Sequence, residues 1–423
     1  MSYILLFLWS LSLCNAQSSP KPKALLIPIS KDPSTLQYLG HFSIGYPPKP
    51  TSLVLDLGGK SLWRDCENGF NSSTYKLVKC GSAACSIAKA NQNCNKNKKT
   101  CHLFSENTIT EKIDDNELAL DSMYLQSTDG IKAGPDFIFS CSRKSLLKGL
   151  AKEARGMAGL GRYPLSLPNL LSSAFGGSLP KKFSLCLPKA EQTNGVLFFG
   201  KGPFFFYSDT NKSELFDITS FFRYTSVKLY TNPISTAINS ARNEPSTEYF
   251  IKIESMQLSG KYVPLNKTLL SINNKGYGGT KLSTVTPYTI LESSIYKALT
   301  ELYDDQFGYA VKVPPVAPFT KCYTTERLLR LPVLGWGVPW IEVFFDEAKD
   351  VRWTLYGTNT MVEVGNNTVC FAFVDGGVNT TTSIVIGAYQ MEDQLFEFDL
   401  ASSKLGISSS LHWDFTQCSN FNF

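Results

Sequence analysis

The stretch that decides the fold reads Leu53-Val54-Leu55-Asp56-Leu57-Gly58-Gly59-Lys60-Ser61-Leu62-Trp63. An apolar run ends on Asp56, the two glycines predict a tight turn, and a second apolar pair follows. This pattern predicts two buried strands joined by a turn that carries a carboxylate. Carboxylates that activate water commonly work in pairs, because two such groups at close range share one proton. A catalytic role for Asp56 would therefore require a second carboxylate elsewhere in the chain.

Length and composition favour a large folded protein. The chain has 423 residues, of which 43% are hydrophobic and 13% aromatic, so it can form a sizeable core. The net charge of +5 is mildly basic and contains no long block of lysine or arginine. These values argue against nucleic-acid binding and allow attraction to an acidic partner.

Residues 1–16 resemble a secretory signal peptide. Ile4 to Leu13 is a short apolar segment, and Cys14-Asn15-Ala16 places small residues before Gln17. The usual basic start is missing, and the alternative is a buried strand. No later run approaches the ~20 apolar residues that span a bilayer. The sequence therefore predicts a secreted, extracellular protein without a membrane span.

The cysteines fit an oxidising compartment. Outside the predicted signal there are ten, an even number that predicts five disulfides. They are Cys66, Cys80, Cys85, Cys94, Cys101, Cys141, Cys186, Cys322, Cys370 and Cys418. Zinc binding is the alternative, but there is no C-x-x-C pair and there are three histidines, His41, His102 and His412. No metal or cofactor is predicted.

Five N-x-S/T sequons are candidate glycosylation sites in an exported chain. They begin at Asn71, Asn211, Asn266, Asn366 and Asn379.

The hydrophobic pattern predicts an all-β protein with a few short helices. Helices are expected at Ser166–Ala174 and from Glu292 to Phe307. Residues 66–104 hold five cysteines in polar sequence and predict a stapled insertion with little core. The glycines of 156–162 predict a tight turn, and 203–222 an irregular connection between two lobes. The expected division is an N-terminal β lobe at 17–210 and a C-terminal β lobe at 211–423.

The order of these elements resembles the pepsin-like aspartic proteases. The resemblance is carried by Asp56-Leu57-Gly58-Gly59, by Gly159-Leu160-Gly161, and by Ile384 to Gly387 followed by Phe396-Glu397-Phe398-Asp399-Leu400. It implies the bilobal pepsin-like (acid protease) fold over nearly the whole mature chain.

A plant subgroup is more similar still: extracellular dermal glycoproteins, endoglucanase and xylanase inhibitors, basic globulins and gamma-conglutins. The stretches that carry this resemblance are Gly278 to Glu292, Val316-Ala317-Pro318-Phe319, Val374-Asp375-Gly376-Gly377 and Cys418 to Phe423. The subgroup implies disulfides Cys66–Cys141, Cys186–Cys418 and Cys322–Cys370. It leaves Cys80, Cys85, Cys94 and Cys101 to pair among themselves.

The second carboxylate is missing from the expected position. In active members an Asp-Ser/Thr-Gly-Thr loop precedes the apolar-Tyr pair of the next helix, here Ile295-Tyr296. The matching positions carry Ser283 in place of aspartate and Val285 in place of glycine. No Asp or Glu occurs between Glu254 and Glu292, so a shifted register does not supply one.

Two further departures from active members point the same way. Leu57 and Gly59 replace hydroxyl residues of the first loop, which predicts loss of the hydroxyls that hold the loop pair together. The flap of active members is a hairpin with a Tyr-Gly pair. The matching segment, about Asn107–Asp115, has no tyrosine or glycine, and its partner strand is expected near Glu117.

Three interpretations of the loop pair follow. Asp56 is expected mainly to accept backbone hydrogen bonds in a preserved turn. Residual proteolysis by Asp56 is the first alternative. A serine–histidine site built on Ser283 is the second, although no G-x-S-x-G elbow accompanies it.

The resemblance implies a secreted, catalytically inactive defence protein of the apoplast or cell wall, a monomer, that binds and inhibits microbial cell-wall-degrading glycoside hydrolases. Inhibitory members place cationic side chains in the acidic catalytic cleft of the target. The two corresponding positions here are Lys312 and Phe415, so one arginine is replaced by lysine and the other is absent. The favoured interpretation of Lys312 by itself is an ordinary solvated lysine, and Phe415 is expected to pack at the edge of the C-terminal tail. The alternatives are an aspartic endopeptidase and a storage or ligand-binding globulin.

Overall fold

The structure is a computed structural model that describes residues 22–67, 70–89, 94–95, 97, 99–130, 134–219, 226–237, 244–345, 351–365 and 367–423. The predicted signal peptide, 1–16, lies outside these residues. Within them, no helix combines the length and the apolar character that crossing a membrane requires.

The fold is dominated by short strands. Those of the first half are β1 (Ala24–Lys31), β2 (Tyr38–Ile44), β3 (Lys49–Asp56), β4 (Leu62–Asp65), β5 (Lys76–Leu77), β6 (Cys94–Asn95), β7 (Thr100–Asn107), β8 (Lys112–Tyr124), β9 (Gln126–Ser127), β10 (Asp136–Ser142), β11 (Ala154–Gly159), β12 (Lys182–Cys186), β13 (Gly195–Gly200), β14 (Phe205–Tyr207) and β15 (Leu215–Asp217).

The second half continues in the same way. Its strands are β16 (Ser226–Lys228), β17 (Phe250–Ile251), β18 (Ile253–Leu258), β19 (Lys261–Tyr262), β20 (Thr280–Leu282), β21 (Thr289–Leu291), β22 (Lys312–Val313), β23 (Cys322–Thr324), β24 (Arg330–Leu331), β25 (Gly335–Trp336), β26 (Ile341–Phe345), β27 (Arg352–Leu355), β28 (Met361–Gly365), β29 (Thr368–Phe371), β30 (Phe373–Asp375), β31 (Ile384–Ile386), β32 (Leu395–Asp399) and β33 (Lys404–Ile407).

The helices are short. They are α1 (Ala83–Ile87), α2 (Leu167–Ala174), α3 (Ser293–Gln306), α4 (Gly357–Thr360) and α5 (Ala388–Met391), with single 3-10 turns at Lys144–Leu147, Thr325–Arg327, Leu411–Asp414 and Cys418–Asn420.

The largest sheet is built from both halves of the chain. Its strand order is β16-β33-β32-β12-β13-β1-β2-β3-β11-β4-β10-β8-β7-β6. The late strands β32 and β33 therefore join the first half through β12, where Phe183 stacks on Phe398 with ring centres 4.7 Å apart. The second half adds a five-stranded sheet, β17-β20-β31-β21-β30, and two four-stranded sheets. This is the all-β, bilobal pepsin-like fold that the sequence predicts.

A four-strand arrangement occurs twice and locates the site. In the first half β3 runs parallel to β11, β11 antiparallel to β4, and β4 parallel to β10. In the second half β20 runs parallel to β31, β31 antiparallel to β21, and β21 parallel to β30. Each arrangement has a loop between its outer and inner strands, which carries Asp56 in one case and Ser283 in the other.

The sequence-based elements are largely confirmed. Helix α2 begins after Ser166 as expected, and α3 begins after Glu292, whose carboxylate accepts hydrogen bonds from the Ser294 and Ile295 amides. Such a cap satisfies backbone donors that have no partner within the first helical turn.

Two local predictions are wrong. Residues 154–159 form strand β11 rather than only a tight turn, because the glycines allow β3 and β4 to approach closely on both sides. Within 203–222, the described residues include a hairpin, β14–β15. The insertion has only a small core, as predicted: Val78 and Cys85 are buried in a cluster that Leu118 of β8 completes.

Candidate functional site

Asp56 lies at the end of β3 in a buried turn. Its side chain is 4% exposed, and its Oδ1 accepts a hydrogen bond from the Gly58 amide at 2.8 Å. The turn is tight because β11 packs directly behind it. A Cβ atom on Gly59 would lie 2.7 Å from the Gly159 Cα, closer than real Cβ contacts. Glycine is therefore required at position 59 because a larger residue would collide with β11.

The hairpin β7–β8 places a hydroxyl on the other oxygen of Asp56. Thr108, in the turn of this hairpin, donates to Asp56 Oδ2 at 2.7 Å. Burial raises the pKa of Asp56, and the hydrogen bonds from Thr108 and Gly58 offset this in part. Both carboxylate oxygens are thus engaged by the protein itself.

The flap prediction needs a correction in its bounds. The two strands of this hairpin are β7 and β8, joined at residues 108–111, so the second strand starts at Lys112 and not near Glu117. The predicted absence of tyrosine and glycine in the turn holds, because the turn is Thr108-Ile109-Thr110-Glu111.

Ser283 occupies the matching place in the second motif. Asp56 pairs with Gly159 in the first motif, and Leu282 pairs with Ile386 in the second, one residue before Ser283 and Gly387. The Ser283 hydroxyl lies 2.9 Å from Thr286 Oγ1 and accepts from the Thr286 amide at 3.2 Å. Serine thus closes a local turn where the repeat would need a carboxylate.

One hydroxyl still joins the two loops, contrary to the prediction that these hydroxyls are lost. Thr284 Oγ1 accepts from the Leu57 amide at 3.1 Å and donates to the Leu55 carbonyl at 2.6 Å. Leu57 has no hydroxyl to return the interaction. The loop pair is therefore held from the second loop alone.

Two further carboxylates line the cleft and were missed by the sequence analysis. Glu248 Oε1 pairs with Lys281 at 2.5 Å, and its Oε2 accepts from Ser246 at 3.0 Å. Glu106 lies on β7, and burial together with the charge of Asp56 raises its pKa. The contacts of Glu248 with Lys281 and Ser246 engage both of its carboxylate oxygens.

The cavity between Asp56 and Ser283 is small. Its volume is about 170 Å³, below the ~300–1,000 Å³ typical of ligand pockets. Val285 lines the cleft and packs against the cluster that contains Trp63 and Met157. The residue that replaces the expected glycine therefore fills part of the space.

The histidines do not support a serine–histidine site. Each of them bonds elsewhere: His41 to Ser30 and Ser52, His102 to Asp115, and His412 to Asp393. None of the three lines the cleft that holds Ser283.

Lys312 lies on β22 and is not among the residues that line the Asp56 cleft. Its side chain is 60% exposed, and its ammonium lies 3.1 Å from Asp304 Oδ2. Asp304 also binds Lys321 at 2.5 Å and the Tyr323 hydroxyl at 3.1 Å, and these partners lower its pKa despite partial burial. Lys312 is thus one of several donors to a single carboxylate.

Phe415 follows the 3-10 turn Leu411–Asp414 and has a left-handed backbone, with φ of 50°. Its carbonyl accepts a hydrogen bond from the Asp209 amide at 2.6 Å. The side chain is 56% exposed, and its packing at the edge of the C-terminal tail stays a prediction. The neighbouring Trp413 is 48% exposed.

All ten cysteines among the described residues form disulfides. The pairs are Cys66–Cys141, Cys80–Cys94, Cys85–Cys101, Cys186–Cys418 and Cys322–Cys370. Three sulfurs in the insertion lie within 4.8 Å of one another, but each belongs to a disulfide and offers no thiolate to a metal.

Four of the five sequons have an exposed asparagine, and the fifth, Asn366, lies outside the described residues. The exposed ones are Asn71, Asn211, Asn266 and Asn379.

Comparison with known proteins agrees with this geometry. The family model "Xylanase inhibitor N-terminal" matches residues 38–201, and "Xylanase inhibitor C-terminal" matches 248–409. The chain is 44% identical to "Probable aspartic proteinase GIP2" of Nicotiana benthamiana, over 99% of this chain and 96% of that protein. It is 35% identical to "Gamma conglutin 1" of Prunus dulcis, with the same two coverages.

Solved structures show the same relationship. The structure titled "Crystal structure of edgp" superimposes with a TM-score of 0.89 at 41% identity, covering 96% of this chain and all of the other. The basic 7S globulin from soybean gives a TM-score of 0.80 at 29% identity, over 95% of this chain and all of the other. The chain therefore belongs to the pepsin-like xylanase-inhibitor family.

Proposed function

We propose that this protein is a secreted, catalytically inactive member of the family that binds and inhibits a microbial cell-wall-degrading glycoside hydrolase. The observation that carries the proposal is the exposed ammonium of Lys312, set among exposed apolar side chains on a disulfide-linked β scaffold. The matches to xylanase-inhibitor models support the same class of partner. No proteolytic step is part of the proposed function.

Inactivity follows from the contents of the cleft. General acid–base catalysis contributes about 10²–10⁴-fold to a rate, and here it would need a partner for Asp56. Ser283 stands in the matching place, and a hydroxyl does not share a proton in the way that a second carboxylate does. Thr108 occupies the outer oxygen of Asp56 at 2.7 Å. Asp56 is therefore a structural acceptor in this proposal.

The structural role of Asp56 predicts how the stability of the folded protein depends on pH. Its pKa is raised in the folded protein, so its contribution to stability is full below the unfolded pKa, near 3.9, and is lost as the pH rises through the folded pKa. Asparagine has no carboxyl group to ionise, so Asp56→Asn avoids the decrease in stability at higher pH. Its side-chain oxygen can still accept the hydrogen bond from the Gly58 amide. We expect the variant to be within about 1 kcal/mol of the parent at pH 4 and to gain relative to it by pH 7.

Urea unfolding at both pH values measures this difference. Asp305→Asn, at an aspartate that is 69% exposed, is the charge-matched control and should show no such gain. Cleavage of denatured casein at acid pH by the parent protein, abolished by Asp56→Asn, would contradict the structural role and favour the endopeptidase alternative.

The surface around Lys312 has the composition of a binding site. Tyr309, Val311 and Val316 are 58%, 42% and 38% exposed, and they flank the lysine in sequence. Interfaces commonly combine an apolar centre with a few charged groups that are fully desolvated on binding. An exposed ammonium with exposed apolar residues beside it in sequence suits the paired carboxylates of a glycosidase cleft.

The contacts of Asp304 make Lys312 available to such a partner. When Lys312 turns towards the target, Asp304 keeps the Lys321 ammonium and the Tyr323 hydroxyl, so no carboxylate is left without a donor. The free energy needed to release Lys312 is small, since an exposed ion pair contributes only about 0–1 kcal/mol.

Lys312→Glu should weaken inhibition of the target hydrolase by about 100-fold, because the new carboxylate would face the two acidic groups of the cleft. Lys312→Arg should keep or strengthen inhibition, since a guanidinium can bind a carboxylate through two hydrogen bonds. Inhibition constants against a panel of microbial xyloglucanases and xylanases test both variants.

Lys76→Glu makes the same charge change at an exposed position of β5 and should leave inhibition intact. A parent protein that neither binds nor inhibits any hydrolase of the panel would count against the proposal. Equal inhibition by the parent and Lys312→Glu would remove Lys312 from it.

A further inference from the structure

A second cavity lies apart from the Asp56 cleft and is larger, with a volume of about 650 Å³. This value falls within the ~300–1,000 Å³ typical of small-molecule sites. Its walls come from the ends of β1 and β12, the hairpin β24–β25, helix α4, strand β28 and the C-terminal segment. We call it the Lys189 cavity. It is also lined by Lys31, Arg330, Trp336, Tyr389 and His412.

Most charges in this cavity are already paired. Lys31 bonds Glu392 at 2.6 Å, Arg330 bonds Glu363 at 2.8 Å, and His412 lies 3.4 Å from Asp393. Within these pairs a basic group and a carboxylate lie side by side.

The hydrogen bonds of Lys189 go to a threonine rather than to a carboxylate. Its ammonium donates to the carbonyl and to the hydroxyl of Thr358, the latter at 2.9 Å. Among the residues that the structure describes, no carboxylate oxygen lies within the 4.0 Å of an ion pair with it. An ammonium has three donors, so one remains for another acceptor. Burial lowers the pKa of Lys189, and the negative charges of Glu392 and Asp393 oppose this shift.

Aromatic rings complete the cavity. The Lys189 ammonium lies 5.2 Å from the centre of the Tyr389 ring, and the Arg330 guanidinium lies 5.5 Å from the centre of the Trp336 ring. Trp336 lines the cavity and is only half-buried, so part of its ring is open to an occupant. A flat ring would bury apolar area against it.

We propose that the Lys189 cavity binds a small ring compound that carries one carboxylate, with the carboxylate on Lys189 and the ring against Trp336. A single negative charge matches the single cation that lacks a carboxylate partner. A charge-assisted hydrogen bond in a partly desolvated site is stronger than one in water. Aromatic acids and sugar acids share this chemistry. The site is independent of the hydrolase-binding surface around Lys312.

The test uses the full-length mature protein and four probes: benzoate, galacturonate, and their neutral counterparts benzamide and galactose. We expect at least one carboxylate to bind by calorimetry and to raise the unfolding temperature in a dose-dependent way, and its neutral counterpart to bind about tenfold more weakly or not at all. Comparing benzoate with galacturonate separates the aromatic acids from the sugar acids.

Lys189→Met should abolish binding, and Lys189→Arg should retain part of it because the cation is kept. Lys152→Met, at an exposed lysine, should bind like the parent. The proposal is overturned if neither carboxylate binds at up to about 10 mM, or if Lys189→Met binds as well as the parent. Hydrolase inhibition by Lys189→Met should be unchanged, so failure here is distinguishable from failure of the proposed function.

Discussion

Lys31→Met should destabilise the protein by about 3–5 kcal/mol at pH 7, because it leaves the Glu392 carboxylate buried without its cation. Glu392 is fully buried, and its Oε1 accepts from the Lys31 ammonium at 2.6 Å and from the Tyr38 hydroxyl at 2.5 Å. Its Oε2 has no hydrogen-bond partner among the described residues. The lysine comes from β1 and the glutamate from beyond α5, so the pair joins the two ends of the chain.

The loss should depend on pH in a defined direction. Burial raises the pKa of Glu392, and Lys31 is the main group that opposes this rise. Without the lysine the glutamate takes up a proton more readily. A group with a raised folded pKa stabilises fully below its unfolded pKa and loses that contribution as the pH rises. The destabilisation by Lys31→Met should therefore be smaller at pH 5 than at pH 7.

Urea unfolding of three variants separates charge from packing. The double variant Lys31→Met/Glu392→Gln should recover most of the loss, because neither charge of this pair remains. Lys152→Met removes an exposed lysine and should change stability by less than about 0.5 kcal/mol. A loss of under about 1 kcal/mol for Lys31→Met at both pH values would contradict the assignment of this pair.

Local sequence patterns were sufficient for the elements around the cleft. The apolar run, aspartate and double glycine of residues 53–63 predicted β3, the turn and β4. Helical periodicity of the apolar residues predicted α3. These features depend on neighbouring residues, whose spacing is visible in one stretch of chain.

Local sequence patterns did not predict the contacts that define the chemistry of the cleft. Asp56 and Thr108 are 52 positions apart, and Leu57 and Thr284 are 227 apart. Single threonines in turns or loops carry no periodic signal, so nothing in the sequence marks them as partners. The same holds for Lys31 and Glu392, separated by 361 positions. Such pairs are set by the strand order, which sequence patterns do not specify.

The contact between the two motifs does not depend on a second carboxylate. Thr284 joins the loops and the glycines allow close approach, with a serine at position 283. These groups stabilise the contact between the two motifs whether or not catalysis occurs. A binding protein benefits from the same rigidity, since preorganised loops lose less entropy when they meet a partner.

Replacing the Cys186–Cys418 pair by alanines should have the other large effect, a loss of about 5 kcal/mol. The cysteines are 232 positions apart, and both are fully buried. The disulfide closes a long loop, and the entropy that it removes from the unfolded chain grows with the logarithm of loop length. It also ties the C-terminal turn to β12, beside the core cluster that contains Phe198 and Phe421.

The Cys80–Cys94 pair supplies a matched comparison, because its loop spans only 14 positions. Chain entropy predicts about 3 kcal/mol for its removal by the same alanine replacements. Unfolding free energies of the parent and the two double variants, measured in urea, give the two losses side by side. The long-loop pair should also lose packing around Phe421, which adds to its cost. A smaller loss for Cys186→Ala/Cys418→Ala than for Cys80→Ala/Cys94→Ala would show that the C-terminal segment is held by its packing and hydrogen bonds rather than by the covalent link.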